Sequence, residues 1–84
     1  MYELIFTDKA KKQFLKLEKQ TQERIGSVLE RIKLRPEHFV EKLVGEQGYK
    51  LRVGDYRIIL DIDKNRLIIL ILKVGHRKNV YDKF

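Results

Sequence analysis

Six residues in the second half of the chain carry most of its capacity for chemistry: Lys50, Arg52, Arg57, His76, Arg77 and Tyr81. Lys50 and Arg52 stand two apart in Tyr49-Lys50-Leu51-Arg52-Val53, where apolar and basic residues alternate, and Arg57 follows just beyond Gly54-Asp55. A period of two marks a strand, and a two-residue Gly-Asp connection marks a hairpin. With that pair as the loop, Val53 lies opposite Tyr56 and Arg52 opposite Arg57. Lys50, Arg52 and Arg57 then share one face, while Tyr49, Leu51, Val53, Tyr56, Ile58 and Leu60 share the other. Like charges placed directly opposite one another destabilise a sheet, so three gathered cations point to an anion among them. Asp61 falls on the same face and offsets part of the repulsion.

The next turn, Asp63-Lys64-Asn65-Arg66, keeps Ile62 in register with Leu67, which places Leu72, Val74 and His76 on the basic face. His76 and Arg77 follow the strand's end, and a bulge at Gly75 would change which of them points inward. An imidazole changes charge near neutral pH, which suits it to acid–base chemistry. Blander readings stand beside these. Lys50 and Arg52 also fit a merely solvated sheet face, a lone His76 fits the surface, and Tyr81 and Phe84 fit as anchors for the tail. His38 and His76 are too few for a zinc site without carboxylate help, and no cysteine supplies a thiolate or a disulfide, so no metal or other cofactor is expected.

The elements that must hold these residues are legible from periodicity. Residues 2–6 read as a strand. Thr7 is a good N-cap with Asp8 in the first turn, and Ala10, Phe14 and Leu17 recur at helical spacing, so 8–18 reads as a helix. Thr21 is placed to cap a second helix with Ile25, Val28, Leu29 and Ile32 on one face, ended by Pro36 near Arg35. The short connection makes the pair a helical hairpin. Residues 36–48 look irregular, with Gly45 and Gly48 as breakers. Strands follow at 49–53 and 56–62. The nearly wholly apolar run from Leu67 to Val74 is expected to be a central strand covered on both faces. The order is β-α-α-β-β-β, an α+β fold with the helical hairpin packed on one face of a small, mainly antiparallel sheet.

At 84 residues the chain is expected to form a single domain, 1–84, with no room for a second lobe. Hydrophobic residues make up 43% and charged residues 37%, too apolar for a disordered chain and too charged for a membrane protein. The N-terminus lacks a basic segment before a long apolar one, so cytoplasmic residence is expected, without membrane contact. Residues 1–48 carry 10 Lys/Arg against 8 Asp/Glu, and residues 49–84 carry 9 against 4. The basic excess therefore sits with the candidate residues, which favours an anionic partner such as nucleic acid or an acidic protein.

Three segments carry a resemblance to a known family. Tyr49-Lys50-Leu51-Arg52-Val53-Gly54-Asp55-Tyr56-Arg57 resembles the signature of the RelE/ParE toxin superfamily, a basic strand, a tight turn and G-D-Y-R. Val74-Gly75-His76-Arg77-Lys78-Asn79-Val80-Tyr81 is similar to its C-terminal G-H-R-x-x-V-Y, and Lys42-Leu43-Val44-Gly45 to its K-L-x-G. The resemblance covers essentially the whole chain. It implies a RelE-like, microbial RNase-like fold and the toxin component of a type II toxin–antitoxin system, with a cognate RelB-like antitoxin protein. RelE-like members are mRNA interferases: metal-independent endoribonucleases that inhibit translation by cutting mRNA in the ribosomal A site through 2′-hydroxyl attack. Ribosome and mRNA are then partners. By motif, Lys50 and Arg52 match the basic pair on the second strand and Arg57 the phosphate-binding arginine. Arg77 matches the arginine proposed to protonate the leaving 5′-oxygen, and Tyr81 the tyrosine that stacks on or orients the substrate. His76 stands where other members often have lysine. In-line attack needs a proton removed from the 2′-hydroxyl, a dianion neutralised and a leaving oxygen protonated, and a crowd of cations serves the second need directly. Two alternatives share the composition: a ParE-like toxin that inhibits DNA gyrase, and a non-enzymatic basic nucleic-acid-binding module.

Overall fold

The computed structural model describes residues 1–78. The first strand, β1, is Glu3–Phe6. Thr7 ends it and begins α1 (Asp8–Leu15), its side chain accepting the Ala10 N–H at 3.1 Å, so the N-cap read from sequence is present. α1 stops at Leu15, three residues short of the expected end. α2 spans Lys19–Ile32 and is capped by Glu18 without a side-chain hydrogen bond, so Thr21 lies inside the helix and not at its cap. The connection is held instead by Gln22, whose amide donates to the carbonyls of Leu17 at 2.8 Å and Leu15 at 3.3 Å. Ile25, Leu29 and Ile32 are buried at helical spacing, as the periodicity requires. Pro36 opens a short 3-10 turn, Pro36–His38, rather than simply closing the helix.

Four further strands complete the sheet: β2 (Glu41–Lys42), β3 (Tyr49–Val53), β4 (Tyr56–Asp63) and β5 (Ile68–His76). β2 is an addition to the expected order. Its two residues are too few to show a period, and it exists by pairing with β3, Glu41 opposite Lys50 and Lys42 opposite Tyr49. The strand order is β1-β5-β4-β3-β2, with β1 parallel to β5 and the other neighbours antiparallel. The fold is thus the α+β arrangement expected, two helices on one face of a small mixed sheet. Leu4, Phe6, Leu51, Val53, Ile58, Leu60, Ile69, Ile71 and Val74 pack beneath Ala10, Ile25, Leu29 and Ile32. β5 lies inside the sheet, and among the described residues the helices cover one of its faces. On the side away from the helices Ile68 and Leu70 remain half-buried beside Ile5, which is 39% exposed.

Two details of β5 correct the expected register. The turn before it is longer by two residues than the expected pairing allows, so Ile62 faces Ile69 and not Leu67. The Asp63 carboxylate accepts the N–H groups of Asn65 and Arg66, both at 3.0 Å, and Leu67 closes the turn with φ +57°, a left-handed conformation that a branched side chain adopts at a cost. Further along, the pairing slips between Ile59 and Leu60: Leu60 faces Ile71, whereas Ile59 faces Lys73. Leu72 is the extra residue of a β-bulge. It packs with Leu43 and Ile59 in a small cluster separate from the main core. Because side chains alternate, one extra residue exchanges the two faces for everything that follows. Val74 is consequently buried in the main core, and His76 stands opposite Tyr56, on the helix side. Both were expected on the basic face; Lys73 and Gly75 take their places.

The bulge sits where β5 changes neighbours. β1 ends at Phe6, so the outer edge of β5 loses its strand partner beyond Ile71. α1 then supplies side chains in place of a ladder: the Thr7 hydroxyl reaches the Leu72 carbonyl at 3.5 Å, and the Gln13 Oε1 accepts the Val74 N–H at 2.8 Å. A buried N–H needs a partner, and Gln13 provides it. Among the described residues no helix is long and apolar enough to cross a membrane.

A cationic cleft on the open face of the sheet

Alternation and register assemble the open face in rows across the strands. One row runs Glu41, Lys50, Ile59, Lys73 from β2 to β5, and the next runs Arg52, Arg57, Gly75. The pairs Arg52–Arg57 and Val53–Tyr56 are those expected from the hairpin. Gly54 turns the chain at φ +59°, the positive value required at the first position of a type II′ turn. The guanidinium of Arg24 from α2 lies beside it, 2.9–3.0 Å from where a Cβ would stand, and could swing aside, so it is the positive φ that calls for glycine here.

Lys50, Arg52 and Arg57, with Phe39, Glu41 and Leu51, line a cleft of about 90 Å³, the volume of roughly three water molecules. Lys50 and Arg57 are half-buried, and Arg52 is exposed. Ile59 lies between Lys50 and Lys73 in its row and is 1% exposed although it points away from the helices. It packs there with Leu43 and Leu72, in the small cluster apart from the main core. Gly75, directly opposite Arg57, contributes no side chain to that row. A set of cations around a small cleft is suited to bind a phosphate and to neutralise charge that develops on it.

Arg77 follows β5 at the same end of the sheet. Its N–H donates to the Asp55 carbonyl at 2.8 Å, which ties the chain after β5 to the β3–β4 turn. His76 is half-buried, with its ring edge-on to Tyr56 at 5.5 Å between centroids. It is therefore on the other side of the sheet from Lys50, Arg52 and Arg57. The structure brings those three together and places Arg77 beside their hairpin. Tyr81 lies outside the described residues.

The model for the ParE toxin of parDE type II toxin–antitoxin systems matches residues 4–81. The chain belongs to the ParE toxin family. Solved structures agree in fold. The isolated RelE toxin of E. coli matches this toxin with a TM-score of 0.79 at 25% identity, over 90% of this chain and 84% of that one. A chain of the Pyrococcus horikoshii RelE–RelB complex gives 0.77 at 28% identity, over 94% and 98%. A chain of the RelBE2 toxin–antitoxin complex of Mycobacterium tuberculosis gives 0.78 at 27%, over 90% and 98%. No curated protein matches the toxin in sequence. It is accordingly a RelE/ParE superfamily toxin of a type II system.

Three residues of the toxin's cleft region were not singled out from sequence. Lys73 looks like an interruption in an apolar strand, and only the bulge reveals which face it joins. Glu41 and Phe39 sit in a segment without a period. The motif Lys42-Leu43-Val44-Gly45 marks the neighbourhood of Glu41, but its partner strand had to be seen before Glu41 could be set beside Lys50.

Proposed function

We propose that the toxin is a ribosome-dependent endoribonuclease that cuts mRNA in the A site and so inhibits translation. The observation that carries this reading is the convergence of Lys50, Arg52 and Arg57 on one small cleft, in an otherwise RelE-like fold. In the proposed reaction Lys50 takes the proton from a 2′-hydroxyl. The freed oxygen attacks the adjacent phosphorus, the P–O5′ bond breaks, and the products are a 2′,3′-cyclic phosphate and a 5′-hydroxyl. Arg57 and Arg52 hold the phosphate oxygens through the dianionic transition state. Arg77 donates a proton to the leaving 5′-oxygen and regains one from solvent, Lys50 releases to solvent the proton it took, and Tyr81, carried over from the family motif, orients or stacks on the substrate. Selection among codons is assigned to the ribosome's presentation of the message. The toxin's resting partner is proposed to be a cognate RelB-like antitoxin, partly acidic and amphipathic, able to cover a cationic cleft as it folds. The RelE–RelB complexes among its structural relatives support that pairing.

The family model matched is that of ParE toxins, and this favours a second reading, inhibition of DNA gyrase. Purified toxin in a reconstituted translation system should cut mRNA only when ribosomes are present, leaving gyrase supercoiling unaffected. Efficient cutting of naked RNA would show the ribosome to be dispensable. Inhibited supercoiling with no cut RNA would give the gyrase reading its place.

A further inference from the structure

His76 is half-buried on the face opposite the cleft, yet it is bonded to the segment that carries Arg77. Its Nδ1 accepts the Lys78 N–H at 3.2 Å. A side-chain acceptor that takes the N–H two residues ahead closes the same small ring as the side chain of Asn or Asp in an Asx-turn. Arg77 is the residue inside that ring. The peptide before Arg77 is fixed as well, because the Arg77 N–H donates to the Asp55 carbonyl at 2.8 Å. The imidazole is held in turn by its edge-on contact with Tyr56, the residue directly opposite it on β4. Arg77 lies one residue beyond β5, tied through its N–H to the turn of the hairpin that carries Arg52 and Arg57.

We infer that His76 is a positioning residue: its Nδ1, by accepting the Lys78 N–H, closes a side-chain turn that aims Arg77 toward the cationic cleft. This rests on the endoribonuclease reading in one respect only, the role of Arg77. Histidine brings two separable properties to this position. The ring supplies the contact with Tyr56, and Nδ1 supplies the acceptor. Asn retains the acceptor without the ring, and Phe retains the ring without the acceptor. Neither substitution reverses a charge or removes a residue from the main core.

The test compares His76→Asn, His76→Phe and Arg77→Ala, alone and as the His76→Phe/Arg77→Ala double variant. The readouts are ribosome-dependent cleavage and NMR hydrogen-exchange protection of the Arg77 and Lys78 amides. His76→Phe should lower kcat on the order of 10- to 100-fold, the scale of a misplaced catalytic group, with KM little changed. His76→Asn should stay within about threefold of the wild type, since it restores the turn. In the Arg77→Ala background His76→Phe should cost nothing further. Amide protection should follow the same order, high in the wild type and the Asn variant and low in the Phe variant. If Asn fails as badly as Phe, the imidazole itself takes part and the inference is overturned. A full loss from His76→Phe in the Arg77→Ala background overturns it too, because the effect would not pass through Arg77. A wild-type toxin that cuts no RNA removes the endoribonuclease reading. The exchange data then decide the turn alone, and equal protection in all variants would refute it.

Discussion

Replacing Gln13 by Met tests the origin of the bulge that sorts β5 between the two faces. Gln13 Oε1 accepts the N–H of Val74 at 2.8 Å, and Val74 is 2% exposed. Methionine has nearly the same length and a comparable helix propensity, so α1 itself should lose nothing. What is lost is the acceptor. A buried donor left unsatisfied costs about 1–3 kcal/mol. For a domain of this size each kcal/mol moves the midpoint by roughly 4–8 °C, so the Met variant should melt roughly 5–20 °C lower. Urea denaturation should give a lower midpoint at unchanged slope, because the surface exposed on unfolding is the same. Gln13→Glu is the control: a carboxylate can accept the same N–H, and stability should remain within about 0.5 kcal/mol of the wild type. A Met variant as stable as the wild type would show that the Val74 N–H has no need of Gln13. A Glu variant as unstable as Met would mean that the amide matters for some other reason, and the account of the bulge would fail.

Arg57→Ala should lower the cleavage rate by the loss of transition-state stabilisation, about 2–4 kcal/mol by comparison with an oxyanion donor, while single-phase unfolding persists; a variant that cuts at the wild-type rate would remove Arg57 from the mechanism. Lys73→Ala should weaken binding to single-stranded RNA and reduce the magnitude of the slope of log K against log salt by about 0.7, the contribution of one phosphate contact; an unchanged slope would place Lys73 off the RNA path. Leu67→Gly should stabilise the fold by up to about 1 kcal/mol, because glycine adopts φ +57° freely. Thermal melting checks this, and a fall in the midpoint would mean that the half-exposed leucine contributes more by packing than it costs in strain.

What could be read from sequence depended on how local its cause was. The hairpin register was legible because a two-residue loop admits one pairing, and Arg52 does lie opposite Arg57. The cap of α1 was legible because Thr7 needs only the N–H three residues ahead. The face of His76 was not, since it is reversed by a bulge whose cause is the end of β1 and the reach of Gln13, 61 residues away from Val74 in the chain. For the same reason Lys73 was missed. Thr21 looked like a cap because the tie that starts α2, Gln22 to the Leu17 carbonyl, has no signature in the residue order. β2 carries too few residues for any pattern, so Glu41 came to the cleft only through its pairing with Lys50.

The parallel pairing of β1 with β5 has a consequence for how the toxin is made. Thr7 and Leu72, which meet where the two strands diverge, are 65 residues apart in the chain. During synthesis β1 waits, without its strand partner, until β5 exists. Closing so long a loop is entropically costly, and contacts of this range slow folding. β5 is also the strand that brings Lys73 to the open face and leads into Arg77. The step that ends the exposure of β1 is therefore the step that completes the cationic surface. A nascent chain does not hold the whole cationic surface on an unfinished fold; both wait for the same strand.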